Sequence, residues 1–73
     1  MQNRIDTPER RQAVLEHLEK YGAVTYRVAV RLTLTTPQAY RLLRRMQDDG
    51  LVRQDDRDPG FWRVKTQPDG HTT

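Results

Sequence analysis

The chain contains no cysteine, which excludes disulfide bridges and thiolate metal sites. Its two histidines, His17 and His71, are too few to complete a metal coordination sphere, so we expect no metal and no other cofactor. No stretch approaches the roughly 20 apolar residues that a membrane span needs, and residues 1–10 contain no apolar run. We therefore expect a cytoplasmic protein without a membrane partner.

Apolar residues are also scarce. Of the 73 residues, 34% are hydrophobic and 32% are charged. A chain of this length forms one domain at most and buries only about 60% of the surface that its unfolded form exposes. That composition suits a small helical core better than the apolar walls of a substrate pocket, and no catalytic set can be assembled from the sequence. We expect that the protein is not an enzyme.

Acidic residues are absent from residues 25–47, although the whole chain has ten of them. The same segment holds the arginines Arg27, Arg31, Arg41, Arg44 and Arg45. The formal net charge of +3 is a modest bias, so the distribution of charge is more informative than its total. Residues 48–60 are in contrast rich in aspartate. A basic segment followed by an acidic one predicts an electrically polar molecule whose basic side contacts phosphate groups.

Two helices are predicted in the first half of the chain. Thr7 and Pro8 are a favourable cap and first residue for helix 1, and Gly22 is the expected stop. Thr25 is a plausible cap for a short helix 2, which follows a brief extended segment at residues 23–24. Apolar residues at helical spacing define the buried faces: Val14, Leu15, Leu18 and Tyr21 in helix 1, and Val28, Ala29 and Leu32 in helix 2.

Helix 3 is predicted to begin at Thr35 or Thr36. The spacing from Thr35 to Gln38 suits a capping box, whereas Pro37 suits a cap at Thr36. Gly50 ends this helix, which therefore covers about residues 36–49. Its buried stripe is Ala39, Leu42, Leu43 and Met46.

The last part of the domain reads as a β-hairpin. Residues 51–55 and 61–65 have strand character, and the turn-rich residues 56–60 join them. We expect Trp62 to anchor this hairpin in the core rather than to stack on a base, because a stacking surface needs several adjacent aromatic residues. Residues 7–65 then form the domain, with a flexible N-terminus at 1–6 and a disordered tail at 66–73.

The segment VAVRLTLTTPQAYRLLRRMQDDGLV, followed by FWRVK, resembles the winged helix-turn-helix superfamily of DNA-binding domains. The resemblance covers roughly residues 7–65. It implies a mainly α fold, with three helices and a small antiparallel β-hairpin as the wing. One departure is Thr33, which stands in the turn where the family pattern favours glycine, and which is tolerated only if its φ is negative or the strain is accepted.

The resemblance also implies a DNA-binding surface. It gives Val28, Ala29, Leu32 and Leu34 to the scaffold and assigns the exposed positions to Thr36, Pro37, Gln38, Tyr40, Arg41 and Arg45. Arg41 and Gln38 have the donors to read guanine and adenine, respectively, in the major groove. Arg44, Arg45, Arg27 and Arg31 are better suited to phosphates. The alternatives are that these residues form a solvated face and that Tyr40 packs beside the hairpin.

The leading hypothesis is sequence-selective binding of double-stranded DNA by a small transcriptional regulator, with helix 3 in the major groove. The main alternative is a winged-helix adaptor that docks on the transcription machinery or on another protein, through its acidic wing or through the face around Val30. Structured RNA is a third, weaker candidate. A protein partner or self-association as a homodimer is compatible with either of the first two hypotheses.

Overall fold

The computed structural model describes residues 5–65, and the predictions for residues 1–4 and 66–73 lie outside this range. The elements are α1 (Pro8–Leu18), β1 (Ala23–Val24), α2 (Thr25–Leu32), α3 (Thr36–Asp48), β2 (Val52–Gln54) and β3 (Phe61–Val64). The strands form one antiparallel sheet in the order β1-β3-β2. The predicted winged helix-turn-helix fold is confirmed, with three helices and a wing formed by β2, β3 and the loop between them.

α1 begins as predicted, but it ends earlier. The Thr7 hydroxyl accepts a hydrogen bond from the backbone of Arg10 at 3.2 Å, and Pro8 is the first helical residue. The helix stops at Leu18, and Gly22 then donates its N–H to the Leu18 carbonyl at 2.9 Å. Tyr21 was predicted to lie on the buried stripe, but it lies in the turn after the helix with 78% of its surface exposed.

Gly22 has a structural role beyond the turn. Its φ of +77° is unfavourable for other residues, and a Cβ at this position would lie 2.5 Å from the carbonyl oxygen of Trp62. The close approach lets Ala23 pair with Trp62 and Val24 with Phe61. The brief extended segment predicted at residues 23–24 is therefore a third strand, which the two-stranded hairpin of the sequence prediction did not include.

Two threonines, Thr33 and Thr35, determine the conformation of the turn between α2 and α3. Thr33 ends α2 in the left-handed conformation, with φ of 58° and ψ of 44°, so the strain anticipated for a non-glycine residue is present. Thr35 then caps α3: its hydroxyl accepts from the Gln38 N–H at 3.2 Å, and the Gln38 side chain accepts from the Thr35 N–H at 3.0 Å. This reciprocal capping box selects the earlier of the two predicted starts.

Trp62 lies at the centre of the core, fully buried as predicted. Its indole N–H donates to the hydroxyl of Thr25 at 2.8 Å. The prediction that Thr25 caps α2 is wrong, because Thr25 is the first helical residue and Val24 occupies the cap position. The other buried apolar residues come from all three helices and the sheet: Val14, Leu18, Ala23, Val28, Ala29, Ala39, Leu42, Leu43, Met46 and Val52.

The segment before α1 is part of the folded domain. Ile5 packs against the core, and Asp6 accepts two hydrogen bonds from Arg11, at 2.6 and 2.7 Å. Arg11 also pairs with Asp49 at 2.7 Å, after the end of α3. Residues 5 and 6, which we expected to belong to the flexible N-terminus, thus contact the core and α1 in the structure. The sequence alone does not show that Arg11 binds Asp6.

Candidate nucleic-acid interface

The outward side of α3 carries most of the residues predicted to bind DNA. The capping box and the buried stripe fix the rotation of this helix, so its exposed positions follow from its core positions. The exposed positions of α3 are Thr36, Pro37, Tyr40, Arg41, Arg44, Arg45 and, at its end, Asp48. They do not form one uniform surface, because the side chains lean toward two different neighbours.

Tyr40 and Arg44 lie on the side of α3 that faces the wing. The Tyr40 ring meets the Trp62 ring edge-on, with centroids 6.0 Å apart and an interplanar angle of 68°. The Arg44 guanidinium lies 5.9 Å from the Tyr40 ring centroid and donates to its hydroxyl at 3.2 Å. This hydrogen bond raises the pKa of Arg44. Tyr40 is 40% exposed, so it packs beside the hairpin and reaches the surface at the same time.

Two glutamines connect this side of α3 to the wing. The Gln47 amide donates to the Gln54 side-chain oxygen at 3.4 Å, and the Gln54 amide donates to the Pro59 carbonyl at 2.9 Å. Gln47 is one helical turn beyond Arg44, and Pro59 lies in the wing loop. We call Tyr40, Arg44, Gln47, Gln54 and Pro59 the wing-side cluster. None of these five residues is acidic, and the nearest carboxylate shown to interact with the cluster is that of Asp48, whose charge contributes to the raised pKa of Arg44.

Arg41 and Arg45 lie on the opposite flank of α3. Together with Ile5, Asp6 and Leu42 they line an open depression between the helix and the N-terminal segment. The Arg45 guanidinium is 3.2 Å from the Asp6 carboxylate, although 71% of the Arg45 side chain remains exposed. Hydrogen bonds and charge, first from Arg11 and then from Arg45, lower the pKa of Asp6. This flank is basic, but one of its arginines already has an acidic neighbour.

The residues at the start of α3 divide between capping and exposure. Thr36 and Pro37 are exposed in the first turn. Gln38 is half-buried, and its side-chain oxygen is engaged in the capping box. Its amide group therefore lacks the free acceptor that bidentate recognition of adenine needs, unless the cap opens.

Arg27 and Arg31 do not lie with these residues. Both project from α2 into a shallow depression that is otherwise lined by His17, Tyr26 and Val30, and no residue of α3 lines it. Residues 25–47, which contain no acidic residue, therefore place their arginines on separate surfaces of the fold, one on α2 and the other on α3.

Two of the three aspartates of the wing, Asp55 and Asp58, have internal partners. Asp55 pairs with Arg63 at 3.0 Å, with both side chains mostly buried, and this hydrogen bond lowers the pKa of Asp55. Asp55 also accepts from the Arg57 N–H at 3.1 Å, and Asp58 accepts from the Gly60 N–H at 3.0 Å. These aspartates shape the loop, as Asx side chains commonly do in turns. The presence of Asp55 and Asp58 is therefore explained without an external partner.

The sequence did not single out Gln47, Gln54 or Pro59 as parts of a site. Gln47 has a readable signal, since it follows Tyr40 and Arg44 at positions i+7 and i+3 of one helix. Gln54 and Pro59 carry no such signal, because only the pairing of β2 with β3 brings them beside α3. Within residues 5–65 no group of three potential metal ligands is present, and no helix is long and apolar enough to cross a bilayer.

The fold and this surface define a winged-helix domain whose third helix presents a basic, aromatic-supported face beside the wing. No protein-family model matches the chain, and no curated protein matches it. A solved structure does: the Zalpha domain of ORF112 from cyprinid herpesvirus 3, described in its binding mode to Z-DNA, is 30% identical. The match covers 80% of this chain and 95% of that chain, with a TM-score of 0.68. The chain belongs to the Zalpha family of winged-helix domains.

Proposed function

We propose that this protein binds double-stranded DNA in its left-handed Z conformation, through the exposed face of α3 and the adjoining wing. Family membership supports the choice of conformation, because the ORF112 Zalpha domain binds Z-DNA. The wing-side cluster supports the location. It combines a cation, an aromatic ring and amide groups on neighbouring residues, none of which is acidic.

The observation that supports this binding surface is that two neighbouring side chains, Trp62 and Arg44, contact Tyr40. A fully buried Trp62 holds one edge of the Tyr40 ring, and Arg44 holds its hydroxyl. A surface aromatic residue fixed in this way loses little conformational entropy when it meets a ligand. It is therefore suited to recognising the shape of a duplex, with the ring against a sugar or base and Arg44 on the neighbouring phosphate.

The other exposed residues of α3 extend the contact. Arg41 and Arg45 are suited to phosphates on the flank away from the wing, and the exposed hydroxyl of Thr36 in the first turn of α3 can donate a hydrogen bond to a phosphate. Gln38 contributes through the cap that holds this first turn in place. In this arrangement phosphates position the domain, and the fixed Tyr40–Arg44 pair discriminates the conformation.

A domain that binds only one conformer shifts the equilibrium of the duplex toward that conformer. The test is to titrate the protein into a duplex of alternating dC and dG and to follow the inversion of its circular dichroism spectrum from the B form to the Z form. We expect wild-type protein to invert the spectrum and Arg44→Ala to fail at matched concentrations. Tight binding with no change in the spectrum would refute the conformational part of the proposal.

The second candidate is sequence-selective recognition of B-form DNA by a transcriptional regulator. The observation in its favour is the exposed Arg41, on a helix with no acidic residue before Asp48. Selection of bound duplexes from a random pool separates the two functions. Enrichment of alternating purine–pyrimidine tracts supports conformational selection, whereas enrichment of one fixed operator supports the regulator.

A further inference from the structure

A second exposed surface lies between α1 and α2. It consists of His17 from α1 and Tyr26, Arg27, Val30 and Arg31 from α2, and we call it the α1–α2 patch. It shares no residue with the wing-side cluster or with the Arg41 flank. The function proposed above does not require it, so its composition needs a separate explanation.

The charge of the α1–α2 patch is uncompensated. No acidic residue lines it, and within residues 5–65 neither Arg27 nor Arg31 forms a salt bridge. Arg11, Arg45 and Arg63, in contrast, each have a carboxylate partner. Arg27 and Arg31 are four residues apart on one helix, so their guanidinium groups lie on the same side and within reach of two neighbouring carboxylates.

The patch is also apolar. Tyr26 is 63% exposed and Val30 is 60% exposed, and both lie among the arginines rather than apart from them. At the edge of the same depression, the Nε2 atom of His17 is buried and has no hydrogen-bond partner among the described residues. Exposed apolar side chains that are grouped with arginines are more typical of protein-binding surfaces than of the remaining surface of a protein.

We propose that the α1–α2 patch docks a segment of another protein that carries at least two carboxylates and one large apolar side chain. The carboxylates pair with Arg27 and Arg31, and the apolar side chain covers Val30 and Tyr26. Charge complementarity excludes a basic partner. A phosphate backbone would satisfy the arginines, but it would leave the apolar surface of Val30 and Tyr26 against a strongly hydrated chain.

Neither the wing loop nor residues 66–73 has this composition. In the wing loop, Asp55 and Asp58 already bond within the loop, and the chain between them offers no large apolar residue. Residues 66–73 contain a single acid, Asp69, and no large apolar side chain. Because the patch is separate from α3, docking of another protein leaves the proposed DNA surface available.

The test uses the full isotope-labelled chain and a synthetic helical peptide in which two glutamates, four residues apart, flank a leucine and a tryptophan. Amide chemical shifts map where the peptide binds. We expect shifts at Tyr26, Val30 and Arg31. Val30→Asp and Arg31→Glu should each weaken peptide binding about five- to tenfold, because one adds repulsion at the apolar centre and the other reverses a pairing charge.

The matched control is Arg41→Glu, which makes the same charge change on α3 and should alter peptide affinity less than about twofold. An equal loss in Arg41→Glu and Arg31→Glu would overturn the proposal in favour of unspecific charge attraction. Loss of duplex affinity in Arg31→Glu, with no peptide binding, would assign the patch to nucleic acid. Concentration-dependent sedimentation abolished by Val30→Asp would assign it to a second copy. The proposed DNA function is tested separately: the Val30→Asp variant should still invert the circular dichroism spectrum of the alternating dC and dG duplex.

Discussion

The Thr25 hydroxyl accepts the indole N–H of Trp62 at 2.8 Å, across 37 positions of sequence. Thr25 also contacts the wing through its own backbone, whose N–H donates to the Gly60 carbonyl at 3.0 Å. The first residue of α2 therefore fixes both the core aromatic residue and the end of the wing loop. Because Trp62 supports the Tyr40 ring, this contact links the interior of the domain to its proposed binding surface.

Thr25→Val tests this link. Valine has the shape of threonine but no hydroxyl, so the buried indole N–H of Trp62 loses its acceptor. We expect the free energy of unfolding to fall by about 1–3 kcal/mol, the usual cost of a buried unsatisfied donor. Thermal denaturation followed by circular dichroism measures it. Thr25→Ser keeps the hydroxyl and is the control, and equal melting of the valine and wild-type proteins would mean that water replaces the hydroxyl.

Thr33→Gly should stabilise the protein. Thr33 holds a left-handed conformation that costs a non-glycine residue about 1–2 kcal/mol. Glycine removes this strain, but it loses more conformational entropy on folding, which lowers the stability of the folded state by about 0.5–1 kcal/mol. We expect a net gain of up to about 1 kcal/mol, which raises the melting temperature of a domain this size by about 4–8 °C. Thr33→Ala keeps the strain and should not raise it; an equal increase in both variants would exclude relief of strain as the cause.

The success and failure of the sequence predictions follow from the range of the interactions involved. The starts of α1 and α3 depend on contacts three residues apart, such as Thr35 with Gln38, so the sequence predicted the start of α1 and limited that of α3 to two adjacent residues. The true role of Thr25 depends on Trp62, and no local pattern reports a contact between residues so distant in sequence. The third strand was not predicted for the same reason, because β1 pairs with β3, which is distant in sequence.

The candidate site follows the same rule. The periodicity of α3 was sufficient to place Tyr40, Arg41, Arg44 and Arg45 on its exposed side. Periodicity does not tell which neighbour each residue faces, so the separation of Arg44 near the wing from Arg45 near Asp6 required the fold. Arg27 and Arg31 were grouped with α3 by charge alone, and the structure places them beside His17 instead.

Asp6→Asn should lower stability in a pH-dependent way. Arg11 and Arg45 lower the pKa of Asp6 below its ordinary value of 3.8 in the folded protein. A carboxylate with a lowered folded pKa stabilises the protein above its unfolded pKa, and this contribution is lost as the pH falls through the folded pKa. The difference in unfolding free energy between wild type and Asp6→Asn should therefore be complete at neutral pH and shrink below about pH 3.8. Urea denaturation over a series of pH values measures it.

Arg45→Ala is the control for the Asp6 prediction. The Arg45 side chain is 71% exposed, and exposed ion pairs contribute little, about 0–1 kcal/mol. Arg11 instead forms two short hydrogen bonds with Asp6 and a further ion pair with Asp49. We expect Arg45→Ala to change stability much less than Asp6→Asn. A difference between Asp6→Asn and wild type that is constant with pH would show that the charge of Asp6 does not contribute.

Salt dependence should distinguish two basic residues, Arg44 of α3 and Arg57 of the wing loop. Arg44 lies in the wing-side cluster, whereas Arg57 is in the loop between Asp56 and Asp58, which repel phosphates. Each phosphate contact contributes about −0.9 to the slope of log affinity on log salt. Arg44→Ala should therefore weaken binding to the alternating dC and dG duplex and flatten its slope by about one.

Arg57→Ala should cost less than about half as much as Arg44→Ala and leave the slope nearly unchanged. Fluorescence anisotropy at several salt concentrations, on a duplex held in the Z form by methylated or brominated bases, separates contact from conversion because the ligand no longer has to change shape. A folded Arg44→Ala variant with the wild-type slope would remove Arg44 from the interface. A larger loss for Arg57→Ala, with a flattened slope, would instead place the tip of the wing on a phosphate. The arginines of α3 would then not be the dominant electrostatic contact.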